Sequence, residues 1–315
     1  LALHLPLKYH VARSRYAFYQ GSRSMFKGSI VALVTPMQPD GAVDWPALER
    51  LLEWHIAEGT HGIVPMGTTG ESATLDTDEH LAVIRRTVEI VAGRVPVIAG
   101  TGSNSTAESI EQTQAAQSYG ADACLLVTPY YNRPTQEGLY QHYKAIAAVT
   151  DIPLVLYNVP PRTACDLKPE TIGRLAELPR IVGVKEASGD AARVTAIRAC
   201  TPSEFCVLSG EDALTLRMMQ LGATGTISVT ANVLPRLMSE FCEAVLAGDD
   251  ARANALDARL QPIHQILFCE TSPSPTKWAL YLMGRIDRGI RLPLLELSEP
   301  LRAELRARLE TVGAL

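Results

Sequence analysis

The chain reads as an α/β protein, a TIM (β/α)8 barrel with additional C-terminal helices. Three observations predict this. From Ser29 onward, eight short apolar runs alternate with helical segments. The runs are apolar throughout rather than alternating, as strands buried on both faces are. No Gly-x-Gly-x-x-Gly follows the first run, which argues against an open doubly wound sheet. Eight βα units closed on themselves make the barrel.

The first strand is expected at Ile30–Val34, ending at Thr35-Pro36. Asp44 then caps a helix through Leu48, Leu51, Leu52 and His55, with Pro46 in its first turn. Gly62–Met66 is the second strand, closing at Gly67-Thr68-Thr69-Gly70-Glu71. Asp76 and Glu79 have capping-box spacing before a helix with Leu81, Ile84, Val88 and Val91 on its buried face. Val95–Ala99 is the third strand, and a helix from Thr106 to Tyr119 stops at Gly120. Cys124–Val127 leads to Thr128-Pro129-Tyr130-Tyr131, and a helix follows over 138–149. Leu154–Tyr157, a helix over 169–178 and Ile181–Glu186 come next. A helix over 191–199, Phe205–Leu208, a helix over 212–221 and Gly225–Ser228 complete the eight units. Glu240 to Leu315 reads as further helices with Pro262, Pro273, Pro275 and Pro293 between them. These are expected to pack outside the barrel and to serve assembly.

Composition bounds the rest. The chain has 315 residues, 47% hydrophobic and 20% charged, which suits an enzyme with a sizeable core. A net charge of -5 gives no electrostatic case for nucleic acid. No uninterrupted apolar run of about 18 residues predicts a membrane span. The six cysteines form no CxxC pair and read as buried, reduced thiols of a cytoplasmic protein. Residues 1–24 carry Lys8, Arg13, Arg15 and Arg23 but no Asp or Glu. They are expected to be a leader outside the fold, either upstream of the natural start or disordered, with an organelle address as the competing reading. The domain expectation is therefore a leader at 1–24, a barrel at 25–248 and a helical region at 249–315.

The site of such a barrel lies at the carboxyl ends of its strands. There stand Thr35, Gly67 to Glu71, Thr101, Tyr130, Tyr131, Tyr157, Lys185, Gly210 and Ser228. No histidine and no carboxylate cluster is among them, so no metal is expected, and GxxxxGK[ST] is absent. A lysine at a strand end is ordinarily solvated. Two features set Lys185 apart. The chain has 29 Lys+Arg but only six lysines, so its surface cations are written as arginine. Of the six, Lys185 alone closes an apolar strand. Apolar surroundings disfavour a charged ammonium, and the free amine is what attacks a ketone. A lone lysine among phenols and hydroxyls suits an imine with a small keto acid. By position, Tyr157 is either a core aromatic with a satisfied hydroxyl or a proton-transfer group. Amides of the Gly67-Thr68-Thr69 turn suit the keto acid's carboxylate.

Gly67-Thr68-Thr69-Gly70-Glu71-Ser72, Tyr130-Tyr131-Asn132-Arg133-Pro134, Tyr157-Asn158-Val159-Pro160-Pro161-Arg162-Thr163 and Gly183-Val184-Lys185-Glu186-Ala187 together resemble the dihydrodipicolinate synthase family. The resemblance runs from Met25 to the C-terminus. The wider superfamily, which includes N-acetylneuraminate lyase, shares the glycine turn, the strand tyrosine and the lysine. Arg162, Thr68 and Thr69 point to the synthase branch. The resemblance implies condensation of pyruvate with L-aspartate-4-semialdehyde to 4-hydroxy-tetrahydrodipicolinate, at the entry to lysine and diaminopimelate biosynthesis. The alternative is a pyruvate-dependent sugar-acid lyase of the same fold. The resemblance to the synthase implies that Lys185 forms the pyruvate imine and that Tyr157, Thr69 and Tyr131 relay protons, Tyr131 reaching into a neighbouring subunit's site. Arg162 would hold the semialdehyde's carboxylate, while Thr68, Gly210 and Ile227 line the pyruvate site. A homotetramer built as a dimer of dimers is implied, with no organic cofactor.

The family's allosteric lysine site maps to Ser72, Ala73, His80, Asn104, Glu108 and Tyr130. A histidine often found at the position of Thr77 is missing. The serines and threonine of Ser272-Pro273-Ser274-Pro275-Thr276-Lys277-Trp278 also depart from the commonest pattern, in a loop expected to stand outside the chemistry.

Overall fold

The computed structural model describes residues 26–315, so the leader expected at 1–24 lies outside the described residues. Eight parallel strands form one sheet: β1 Gly28–Ala32, β2 Gly62–Val64, β3 Ile98–Gly100, β4 Ala123–Val127, β5 Leu154–Asn158, β6 Ile181–Glu186, β7 Cys206–Ser209 and β8 Gly225–Ser228. Their order is β2-β1-β8-β7-β6-β5-β4-β3. The ends of that sheet meet at one parallel bridge, Ile63 to Val97. Ile63 N donates to Pro96 O at 2.9 Å and Gly100 N to Pro65 O at 3.0 Å across the same seam. The barrel is thus nearly closed.

Eight helices surround it: α1 Trp45–Ala57, α2 Thr77–Val91, α3 Thr106–Tyr119, α4 Gln136–Ala148, α5 Pro169–Ala176, α6 Arg193–Cys200, α7 Thr215–Gln220 and α8 Pro235–Leu246. Cap residues start them where the sequence places them. Asp44 accepts from Ala47 N at 3.0 Å, and Asp76 from Glu79 N at 2.8 Å. Each such cap stabilises its helix by about 1 kcal/mol. Gly120 ends α3 at φ 87, in the left-handed region that glycine enters without strain.

Two apolar layers follow from strands that bury both faces. Ile30, Val64, Ile98, Leu125, Val155, Tyr157, Leu208 and Ile227 fill the barrel. Val31, Ile63, Leu126, Leu156 and Val184 face outward onto the helices. On α2 the buried face is His80, Val83, Ile84, Thr87 and Val91. Leu81 and Val88, expected on that face, are only partly buried. The face includes a histidine and a threonine, which a count of apolar positions passes over.

Three more helices follow: α9 Asp250–Ile266, α10 Ser274–Leu282 and α11 Glu299–Val312. Ile263, Leu267, Trp278, Leu305 and Leu309 give them a core of their own. Two expectations are corrected here. Pro262 lies inside α9, not between helices. It forgoes one backbone hydrogen bond, and burial of Leu260 and Ile263 beside it keeps the helix in place. Pro275 sits in the first turn of α10, where its missing N–H has no partner to lose.

Candidate active site

Lys185 is 6% exposed at the end of β6. Its register partner on β5 is Tyr157, and Nζ lies 4.3 Å from the centre of that ring. Strand pairing places them on the same face, toward the barrel interior. On the third side is Gly210, just after β7. Its N–H donates to Glu186 O at 2.7 Å. A Cβ there would stand 2.9 Å from Lys185 Cε and 2.6 Å from Ala187 Cβ. Gly210 is therefore the space the lysine's end occupies. Ile227, 1% exposed on β8, is an apolar wall.

The turn after β2 is a short 3-10 helix, Thr68–Gly70. Gly70 N donates to Gly67 O at 3.0 Å, and Thr35 Oγ1 to Gly70 O at 2.7 Å. Thr69 is buried and Thr68 half-buried. Met66 at φ 58 and Glu71 at φ 60 bracket this turn in the left-handed region.

Arg162 lies on a helical turn, Pro160–Thr163, and is exposed. Its Nη2 reaches Ser272 O at 3.5 Å. Tyr131 stands away from its own barrel, 91% exposed at φ 72. The structure of one chain thus brings Lys185, Tyr157 and Gly210 together and leaves Tyr131 projecting outward.

Among the residues expected to bind lysine, His80 Nε2 pairs with Gly100 O at 2.7 Å. Burial lowers the His80 pKa, against the opposing effects of Gly100 O, the Glu108 carboxylate and a backbone contact with Ser72. Asn104 Nδ2 donates to Tyr130 O at 3.2 Å, and Ser103 Oγ to Glu108 Oε2 at 2.5 Å. Ser72 is half-buried, Ala73 exposed, and Thr77 exposed at the start of α2.

Several neighbours escape a reading of the sequence. Glu186 is fully buried behind Lys185, accepting from Asn158 Nδ2 at 3.1 Å and from Ser188 N at 2.8 Å. Burial raises its carboxyl above the usual range. Burial also raises Glu211, with the charge of Lys185 opposing. The segment 272–278, expected to be a loop, is largely the start of helix α10. Its Lys277, on α10, is 3% exposed and forms a buried ion pair with Glu71 at the end of the Thr68–Gly70 turn. The signal was available, because Lys277 is one of only six lysines.

Among the described residues no group of three or more His, Cys, Asp or Glu is arranged to hold a metal ion. No described helix is long and apolar enough to cross a membrane. A cavity of about 420 Å³ beside Trp54, Arg236 and Met283 is lined by none of the site residues named above.

Residues 25–312 match the Dihydrodipicolinate synthetase family. The chain is 57% identical over 291 residues to 4-hydroxy-tetrahydrodipicolinate synthase of Methylococcus capsulatus, covering 92% of this chain and 100% of that protein. The solved dihydrodipicolinate synthase of Acinetobacter baumannii in complex with pyruvate is 54% identical. The alignment covers 92% of this chain and 99% of that one, with a TM-score of 0.90. The corresponding enzyme of Cyanidioschyzon merolae, solved with lysine bound, is 38% identical with a TM-score of 0.89, and 93% and 100% of the two chains are covered.

Proposed function

Because the chain belongs to the dihydrodipicolinate synthetase family, we propose that Lys185 carries its chemistry as a covalent pyruvate imine. The activity is that of 4-hydroxy-tetrahydrodipicolinate synthase, a lyase of lysine and diaminopimelate biosynthesis. The observation that carries the imine is the buried Lys185 amine beside Tyr157, in the space that Gly210 leaves open. A relative holds pyruvate, which supports pyruvate as the keto acid.

The amine attacks the ketone carbon, and the carbinolamine loses water. The iminium then accepts the electron pair left when a methyl proton departs, giving a carbon nucleophile. That carbon attacks the aldehyde carbon of L-aspartate-4-semialdehyde, whose oxygen takes up a proton, and the semialdehyde's own amine then adds to the imine carbon and expels the Lys185 amine, closing the ring. No organic cofactor is needed, because the imine nitrogen is the electron sink. Tyr157, Thr69 and Tyr131 serve the proton transfers, which need groups within hydrogen-bond reach. Tyr131, outside its own barrel, reaches a neighbouring subunit's site in a homotetramer built as a dimer of dimers. Thr68 and the turn amides take the pyruvate carboxylate beside Gly210 and Ile227, and Arg162 takes that of the semialdehyde by its planar fork.

Residues 25–248 are the catalytic barrel of this reading and 249–315 its helical support. The cysteines, four of them buried, suit a reducing cytoplasm. The relative with lysine bound supports a lysine site at Ser72, Ala73, His80, Asn104, Glu108 and Tyr130. The deciding experiment is a coupled assay with pyruvate and aspartate semialdehyde, run beside N-acetylneuraminate cleavage. Turnover of the first pair alone is expected. Cleavage of the sugar acid in its place would overturn the reading.

A further inference from the structure

We propose that the buried Glu71–Lys277 pair is a positioning device through which the C-terminal helices hold the carboxylate-binding turn Gly67–Gly70 in its working shape. The inference rests on the imine reading above and concerns residues outside it.

Three observations converge. First, the turn is bracketed by two non-glycine residues in the left-handed region, Met66 and Glu71. Such residues persist only where surrounding structure over-determines them. Second, both carboxylate oxygens of Glu71 are used, and both partners come from the C-terminal region. Oε1 meets Lys277 Nζ of α10, and Oε2 accepts from Arg291 N at 3.1 Å. The Arg291 guanidinium grips Glu79 of α2 at 2.6 and 2.7 Å and also donates to Thr74 O at 3.0 Å. The chain leaving the turn is therefore fixed from the same side at Glu71, Thr74 and Glu79. Third, the segment before α10 touches the other end of the site, where Ser272 O accepts from Arg162 Nη2 at 3.5 Å.

Side chains of Glu71 and Lys277 are 0% and 4% exposed. Desolvation consumes most of what such a pair gains, and well-packed apolar residues often replace it without loss of stability. What apolar residues lack is direction. Two fixed acceptors at Glu71 set the left-handed backbone, and with it the aim of the preceding amides. The C-terminal helices are then part of the site's scaffold, not an appendage for assembly.

The test is Glu71→Leu combined with Lys277→Met, which removes both charges at once. The melting temperature of the double variant is expected to stay near wild type. Its pyruvate KM is expected to rise about tenfold, equivalent to about 1.4 kcal/mol, with the semialdehyde KM within about twofold. Borohydride with pyruvate should still label Lys185. A stable double variant with the wild-type pyruvate KM overturns the proposal. Should it not fold, Glu79→Gln is read instead, since it loosens Arg291 from a half-buried position. A pyruvate KM about threefold higher supports the clamp, and an unchanged one overturns it. If wild type itself takes no pyruvate label, the imine reading has failed, which is a separate outcome.

Discussion

Lys185 and Tyr157 stand side by side on neighbouring strands, with the lysine Nζ 4.3 Å from the centre of the phenol ring. The ring face thus borders the lysine's end at the mouth of the barrel, and among the described residues no carboxylate is ion-paired with it. The contrast is Lys277, equally buried but spent on Glu71. Among the described residues Lys185 is thus without an ion pair, while Lys277 is committed to one.

Gly210→Ala should fold and lose activity. The new Cβ would lie 2.9 Å from Lys185 Cε and 2.6 Å from Ala187 Cβ. Overpacking costs about 1–3 kcal/mol of stability, and moving the amine by about 1 Å costs on the order of a hundredfold in rate. Steady-state kinetics and a melt on the same preparation decide this. Wild-type kcat in the variant would show that Gly210 does not shape the lysine's place.

Arg162→Ala should separate the two substrates. A hydrogen bond to a charged group is worth about 1.5–3 kcal/mol, so the semialdehyde KM is expected to rise about tenfold to a hundredfold. The pyruvate KM should move less than about twofold. Varying each substrate in turn gives both numbers. Equal increases in the two would mean that Arg162 acts on the site as a whole.

Acid stability should be set by histidines. Burial lowers the pKa of His55 to about 3 and of His142 to about 4. Both are neutral in the fold, whereas the unfolded chain binds their protons below about pH 6.5. Their stabilisation is thus complete above that pH and is lost as pH falls toward the folded values. Each contributes a slope of about 1.4 kcal/mol per pH unit in that window. Denaturant unfolding of His55→Asn at pH 6.5 down to 4.5 should give a shallower fall than wild type, by one proton. Parallel curves would exclude His55 as a source.

Lysine should inhibit weakly. Thr77 lies one helical turn before His80, where a histidine would add a hydrogen bond or close the wall. One missing bond costs roughly 0.5–1.5 kcal/mol, about a threefold to tenfold loss of affinity. Lysine titrations of wild type and Thr77→His at the same substrate levels measure this. Equal inhibition of the two would make the missing imidazole irrelevant.

The barrel was legible because its signals are local. Apolar runs and cap residues such as Asp44, Asp76 and Gly120 each act within a few positions. Strand ends moved by one to three residues where tertiary bonds intervene. Val34, expected in the first strand, leaves the ladder and donates to Asn232 Oδ1 at 3.0 Å. Thr69 drew its role from the resemblance alone, whereas Lys185 and Tyr157 were legible from type and position as residues of the strand ends. The Glu71–Lys277 pair was not, since its members are 206 residues apart and neither periodicity nor capping reports such a link. Lysine scarcity flagged Lys277 as clearly as Lys185, but no strand ended there to give it a role.

The central claim is that Lys185 is the imine-forming amine. Wild-type protein treated with pyruvate and borohydride, digested and analysed by mass spectrometry, tests it most directly. The account predicts inactivation and one reduced pyruvate adduct on the peptide containing Lys185, absent from a folded Lys185→Arg variant, whose guanidinium stays protonated. An adduct on Lys277, or full activity with no adduct, would contradict it.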